Sequence, residues 1–228
     1  MSDAIRMAGP PRRIYLLDPI DSGAQSIKLT SKQNFHQFCE NDVLPCRIRK
    51  RSGDEVNVKL RLPADTAPGT YAAQLDVDSR QYQVTVDVQP QAKLKVYPKR
   101  LAFTAKSGGL IEADLALGNV GNINIAIPEN AIANLYCLQE IPAAIASTLQ
   151  LASDNADELA KNLLQEIKQG YGGVMKCHLQ GELQNLPPGK RAVFHFKGRV
   201  PKQAKSGGIY TGIMHIDRFH FVFEVTVL

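Results

Sequence analysis

Residues 52–86 read SGDEVNVKLRLPADTAPGTYAAQLDVDSRQYQVTV, and residues 188–227 read PGKRAVFHFKGRVPKQAKSGGIYTGIMHIDRFHFVFEVTV. In both segments, Gly and a charged residue precede an alternating strand. A Pro-containing polar connection then ends in Gly, and a Tyr leads into two more alternating strands separated by a short turn. Self-similarity on this scale predicts two copies of one β module. The repeated residues are those of turns and strand faces, so the repeat favours an architectural role over a catalytic one.

Length and composition agree with two globular domains. The chain has 228 residues, and its hydrophobic content of 44% supports a packed core. The formal net charge of +5 suits a slightly acidic partner and is too small to indicate a nucleic-acid binder. No stretch reaches the roughly 18 apolar residues of a membrane span. The first residues, MSDAIRMAGPPRRIYLL, show no apolar signal-peptide core. The sequence therefore predicts a cytoplasmic protein, or a periplasmic or surface protein if a signal peptide has been removed.

The first module is predicted to be a β-sandwich over residues 12–90, after a flexible arm at 1–11. Val56, Val58, Leu60 and Leu62 alternate with polar residues, which is the period of a strand with one buried face. Two further alternating stretches follow and are separated by a short turn, so the module ends in a hairpin.

The second module, residues 91–228, is predicted to be a sandwich interrupted by a helical insertion at about 129–173. Residues 142–149 begin with Pro, which suits the first turn of a helix. Residues 154–169 read as a second helix with one apolar stripe, formed by Leu159, Leu163, Leu164 and Ile167. We expect this stripe to pack on the sandwich.

Three segments resemble bacterial immunoglobulin-like domains. VNVKLRLPADTAPGTYAAQLDV and LPPGKRAVFHFKGRVPKQAKSGGIYTGIMHI resemble the E–F–G portion of such domains. VYPKRLAFTAKSGGLIEADLALGNVGN resembles the opening strands of the PapD-like periplasmic pilus-assembly chaperones. The resemblance implies a mainly β fold with two immunoglobulin-like β-sandwich domains in tandem, the second carrying the α-helical insertion.

The resemblance also implies a function. In pilus chaperones an arginine of the first strand anchors the carboxylate of a bound subunit, and the matching position here is Arg100, beside Lys99. The implied role is non-catalytic protein binding or structural assembly of a surface fibre or secreted complex, by strand addition at a sheet edge. A cytosolic scaffold in a larger complex is the alternative.

An enzyme with a site on the helical insertion is a third hypothesis. Its candidate carboxylates are Asp154, Asp157 and Glu158. Their position in the first turn of a predicted helix is already explained by the helix dipole, which favours negative charge there. The sequence contains no nucleophile-elbow, phosphate-loop or dinucleotide motif. We therefore expect no enzymatic activity and no cofactor.

The densest positive run is Arg47, Arg49, Lys50 and Arg51. On a strand, Arg47, Arg49 and Arg51 share one face. This face could dock an acidic partner or nucleic acid, or the charge could protect a sheet edge from unwanted pairing.

Cysteines and histidines give no clear site. The four cysteines, Cys39, Cys46, Cys137 and Cys177, allow two disulfides or four reduced thiols. His36 lies close to Cys39 and Cys46 but lacks the ligand spacing of a zinc site, so we expect no metal. Cys177 and His178 are neighbours on a predicted strand and point to opposite faces, which prevents catalytic pairing. The remaining histidines, His195, His215 and His220, are interpreted as surface or strand-pair residues.

Overall fold

The computed structural model describes eight stretches of the chain: residues 5–17, 20–21, 27–31, 43–50, 55–77, 80–138, 140–150 and 155–228. The chain divides into two compact units. The first comprises Met1–Leu94, Asn119–Ile125 and Pro187–Lys190, and the second comprises Lys95–Gly118, Ala126–Leu186 and Arg191–Leu228. The sequence-based ranges 12–90 and 91–228 remain a proposal for the limits of the two modules.

The strands of the first unit form one continuous ladder. They are β1 (Ile5–Gly9), β2 (Ile14–Leu16), β3 (Ile20–Asp21), β4 (Ile27–Ser31), β5 (Val43–Leu44), β6 (Cys46–Lys50), β7 (Glu55–Leu60), β8 (Gly69–Val77) and β9 (Arg80–Val88). Strand β7 pairs with β6, β2 and β3, and β2 pairs with β1. Strand β1 also pairs in parallel with β9, from which the ladder continues through β8 and β4 to β5. In immunoglobulin strand letters, β6, β7, β2 and β1 correspond to D, E, B and A. Strands β9, β8 and β4 correspond to G, F and C, as in an immunoglobulin-like sandwich.

The second unit repeats this order. Its strands are β10 (Leu94–Tyr97), β11 (Ala102–Ala105), β12 (Leu110–Asn119), β13 (Ile125–Ala126), β14 (Asn130–Tyr136), β15 (Tyr171–Gly181), β16 (Asn185–Leu186), β17 (Arg191–Arg199), β18 (Ile209–Ile216) and β19 (Phe219–Val227). The succession β10–β12–β17–β15 corresponds to A–B–E–D, and β14–β18–β19 corresponds to C–F–G. The short strand β11 pairs in parallel with β19, just as β1 pairs with β9. The predicted fold class is therefore confirmed: mainly β, with two immunoglobulin-like sandwiches in tandem.

The two repeated segments occupy the same positions in both units. Residues 52–86 contain strands β7 and β8 and most of β9, and residues 188–227 contain β17, β18 and β19. Each set forms the E, F and G strands and ends in an antiparallel hairpin. The sequence repeat is therefore a repeat of topology.

Each core follows the predicted alternation of inward and outward residues. In the first unit, Val58, Leu60, Leu75 and Val86 are buried, and Tyr71 and Tyr82 pack against them. The core of the second unit is richer in aromatic residues, and its largest fully buried side chains are Phe194, Phe196, Phe223, Leu115 and Leu117. These apolar faces supply the main driving force for folding of each sandwich.

The prediction of a flexible arm at residues 1–11 was wrong for the part that the structure describes. Residues Ile5–Gly9 form β1, in which Met7 is buried. Strand β1 pairs with the nearby β2 and also with β9, about 80 positions away, where Val84 lies opposite Ile5; local sequence gives no signal for this distant pairing.

The helical insertion exists but is shorter than predicted. Residues Asn130–Tyr136 form strand β14, and the helices α1 (Glu140–Gln150) and α2 (Ala156–Gln169) follow it. Helix α2 as a whole lies chiefly against α1 rather than against the sandwich, and Leu164 of its apolar stripe remains 60% exposed. The backbone of Cys137 donates to the carbonyl of Gly170, which closes the insertion between β14 and β15. Neither helix is long and apolar enough to cross a membrane, judged over the residues described.

Candidate partner-binding surface

The basic run predicted from the sequence lies on an edge strand of the first unit. Strand β6 pairs with β7 only, within the described part of the chain. Arg47 is exposed there and stands directly opposite Lys59 of β7. The side chain of Arg49 and the whole of Arg51 lie outside the described residues.

Three adjacent strands bring Arg47, Lys59 and Tyr15 into one row. Lys59 is the cross-strand partner of Arg47 on one side and of Tyr15 on the other. Directly opposite residues project to the same face of a sheet with Cβ atoms about 5 Å apart. The Lys59 ammonium lies 5.4 Å from the centre of the Tyr15 ring, a cation–π contact that holds the charge over the sheet.

A turn adds two more cations to this face. The β1–β2 turn is closed by the Arg13 amide donating to the Pro10 carbonyl, and the Leu62 amide donates to the Pro11 carbonyl. Gly9 starts the turn with φ 144°, and a Cβ there would overlap the Arg13 carbonyl, so only glycine fits. The turn thus fixes Arg12 and Arg13 beside Arg61 and Lys59, where they line a depression of about 410 Å³ floored by Leu62.

We call Arg12, Arg13, Arg47, Lys59 and Arg61 the basic surface. Four of its members are exposed and Lys59 is partly so. None of them has an acidic partner among the residues that the structure describes; the ion pairs found there join His195 to Asp114, Lys197 to Glu112 and Arg218 to Asp217. Unpaired cations around one concavity create a positive potential that attracts anionic groups.

The matching face of the second unit has a different charge pattern. Strands β12 and β17 there correspond to β2 and β7, and two of their cross-strand pairs join a basic side chain to a carboxylate. The Lys197 ammonium lies 2.7 Å from the Glu112 carboxylate, and His195 Nδ1 lies 3.0 Å from Asp114. In the second unit Glu112 neutralises Lys197, whereas in the first unit the corresponding Lys59 meets Tyr15. The two topologically equivalent faces therefore differ at this position, since Lys197 has a carboxylate partner and Lys59 has none among the residues described.

Lys99 and Arg100, predicted from the chaperone resemblance, belong to the second unit. Both are exposed in the connection between β10, which ends at Tyr97, and β11, which begins at Ala102. Pro98 has no amide hydrogen to extend the ladder of β10, so Arg100 stands in a loop rather than on a strand. Its role as an anchor for a carboxylate stays a prediction.

The described cysteines are thiols in apolar surroundings. Cys137 and Cys177 are buried and are not joined by a disulfide. Burial raises the pKa of the Cys177 thiol to about 12, and it also raises the pKa of Cys46, against the opposing effect of hydrogen bonding to the Leu29 backbone. Such thiols resist ionisation and act as small apolar residues. Cys39 and His36 lie outside the described residues.

The histidines and carboxylates take the positions expected of strand and helix-end residues. Cys177 is buried and His178 is exposed, so their side chains lie on opposite faces of β15 as predicted. His215 and His220 form a cross-strand pair, as interpreted from the sequence. Asp157 and Glu158 lie exposed in the first turn of α2, and their backbone amides donate to the Asn155 side chain. Asp154 lies outside the described residues. Within the described ranges, no three His, Cys, Asp or Glu residues are arranged to hold a metal ion.

Sequence reasoning missed four members of the basic surface. Lys59 and Arg61 alternate with the buried Leu60 and Leu62, so their outward direction was readable. Their proximity to Arg47 and to the turn at Arg12 depends on strand pairing across β2, β7 and β6, which a single sequence does not reveal.

No family model matches the chain, and neither does any curated protein. Among solved structures it is similar to a protein of unknown function from Porphyromonas gingivalis W83, with 10% identity over 98% of this chain and 96% of that one and a TM-score of 0.28. It is also similar to Rst D1-D2, with 14% identity over 100% and 97% of the two chains and a TM-score of 0.29. Dpr11 IG1 bound to DIP-gamma IG+IG2 gives 9% identity over 98% and 96% and a TM-score of 0.32. Similarities of this size carry no argument about function, and the immunoglobulin-like assignment rests on strand order.

Proposed function

We propose that this protein is a non-catalytic binding protein whose basic surface docks an acidic partner protein. The observation that carries the proposal is the group of five cations without an acidic partner in the described chain. Four of them line one depression of the first unit, and Arg47 stands opposite one of these, Lys59. Electrostatic complementarity of this kind sets partner choice and accelerates association. The Lys197–Glu112 ion pair at the equivalent position of the second unit shows that the fold does not itself require an unpaired cation there.

Strand addition at β6 is the binding mode that we propose. The outer edge of β6 has no partner strand within the described residues, and Arg47 projects beside it. Positive charge on an edge disfavours pairing with another basic strand and favours an acidic one. An extended acidic segment would therefore gain backbone hydrogen bonds from β6 and ion pairs from the basic surface.

The biological setting that we propose is assembly of a surface fibre or a secreted complex, as the chaperone resemblance implies. A scaffold in a larger cytosolic complex is the second candidate. Both settings use the same surface, and the identity of the partner distinguishes them.

The test is capture of partners from native cell extract with crosslinking and mass spectrometry, after nuclease treatment. The triple variant Arg47→Glu, Lys59→Glu and Arg61→Glu reverses the basic surface. A double variant of exposed lysines in the second unit, Lys176→Glu with Lys202→Glu, is the control. We expect wild type and control to capture the same acidic protein and the triple variant to lose it. Retention by the triple variant would contradict the proposal.

A further inference from the structure

The hairpin formed by β18 and β19 holds two histidines face to face. His215 and His220 are directly opposite in the ladder, and only one further pair, Ile216 and Phe219, separates them from the turn. Asp217 in the turn has φ 52°, as the tight reversal requires. Both histidine side chains are exposed.

The two Nδ1 atoms are 3.1 Å apart, and the ring centres are 4.6 Å apart. Two nitrogen ligands on one zinc ion, each about 2.0–2.1 Å from the metal at a near-tetrahedral angle, are themselves separated by about 3.3 Å. The observed separation is therefore close to that of a bidentate chelate. At this distance one Nδ1–H group donates a hydrogen bond to the other Nδ1, and a metal ion bound by both nitrogens would take the place of that proton.

The backbone beneath this pair is held by the core of the second unit. Met214, Ile216 and Phe221 flank the two histidines and are almost completely buried. Because strand residues alternate in direction, these three side chains fix the backbone while His215 and His220 project to solvent. A chelate formed here would lose little conformational entropy, since the backbone positions of both ligands are already set.

We propose that His215 and His220 bind one divalent transition-metal ion that prefers imidazole ligands, of the zinc, copper or nickel class, through their Nδ1 atoms. Because these two residues supply only half of a tetrahedral shell, water completes the coordination. The site is on the second unit and is independent of the basic surface. Binding requires both imidazoles to be unprotonated, so it competes with protons.

The test is isothermal titration calorimetry of the full chain, free of any purification tag, with zinc chloride and with nickel chloride. The variants are His215→Ala and His220→Ala, and the controls are His178→Ala and His195→Ala, which remove exposed histidines from other positions of the same unit. We expect one ion per chain, an affinity at least tenfold weaker in either test variant, and unchanged affinity in both controls.

Two results would overturn the proposal. One is saturable binding that survives unchanged in His215→Ala or His220→Ala, and the other is the absence of saturable binding by the wild-type chain. Because both histidines are exposed, the variants are expected to fold, and circular dichroism of each variant checks this. Shifts of the His215 and His220 ring signals in NMR spectra, measured with added zinc, give a second readout that does not depend on heat.

Discussion

Gly212 and Phe223 face each other across β18 and β19, and the phenyl ring covers the glycine. A Cβ at position 212 would overlap this ring. The ring has little room to retreat, because Phe223 is 1% exposed and its centre lies 5.6 Å from that of Phe196 and 6.0 Å from that of Phe103. We expect Gly212→Ala to lower the free energy of unfolding by about 1–3 kcal/mol, measured by urea denaturation, as overpacking of a core does.

Gly118→Ala is the matched control for that substitution. Gly118 is also a strand glycine, but it faces Arg191, whose flexible side chain would be the nearest neighbour of the alanine methyl group. The arginine can move away at small cost, so we expect a change below about 1 kcal/mol. Equal losses in the two variants would show that glycine at these positions matters for the backbone rather than for the aromatic cluster.

Cys177 makes stability depend on pH in the alkaline range. Its pKa is raised from 9.0 to about 12 because burial disfavours the thiolate. The contribution of the buried, neutral thiol to the free energy of unfolding is complete below pH 9. Between pH 9 and 12 the unfolded chain releases a proton that the folded chain retains, so the free energy of unfolding falls by about 1.4 kcal/mol per pH unit. Urea denaturation at pH 8–11 should show a shallower decline for Cys177→Ala than for wild type, and parallel curves would contradict this account.

At the scale of elements, the helical insertion behaves as an appendage to the second sandwich. Helices α1 and α2 pack chiefly on each other, and Tyr136 pairs with Tyr171 where the chain leaves and rejoins the sheet. Replacing residues 138–169 by Asn-Gly should therefore leave a plain β14–β15 hairpin, since this dipeptide favours the required tight turn. We expect cooperative unfolding and the β-type circular dichroism spectrum to persist. Loss of cooperative unfolding would show that the helices support the sandwich.

Elements with strong local alternation were predictable from the sequence. In strands β7, β8 and β9, buried apolar residues such as Val58 and Leu60 alternate with outward residues, as the sequence predicted. A hairpin ends each module, also as expected. Strand β14 was missed because its inward residues include Ala133, whose small side chain weakens the alternating signal. Helix α1 was found because Pro142 suits the first turn of a helix, and α2 because Gly170 and its apolar stripe mark a helix of that length.

At the scale of the whole molecule, two units with one strand order carry different surfaces. Arg47 was predicted from its local charge run, whereas Arg12 and Arg61 join it only through the register of β2, β7 and β6. Register depends on contacts between distant parts of the chain, so composition and periodicity could give the net charge but not the grouping of Arg12, Arg13, Lys59 and Arg61 around one depression. The duplication thus provides a common scaffold, and a few outward residues distinguish the two copies.

The most direct measurement of the central claim is site-specific photo-crosslinking in native extract. A photoreactive amino acid replaces Arg61 in one sample and Lys176 in another, both of them exposed positions, one in each unit. The account predicts that position 61 crosslinks an acidic protein and that position 176 does not. The crosslinked product should become weaker in 0.5–1 M salt, because the Debye screening length falls to about 3–4 Å. Crosslinks to the same protein from both positions, or from position 176 alone, would contradict the claim that the basic surface is the docking site.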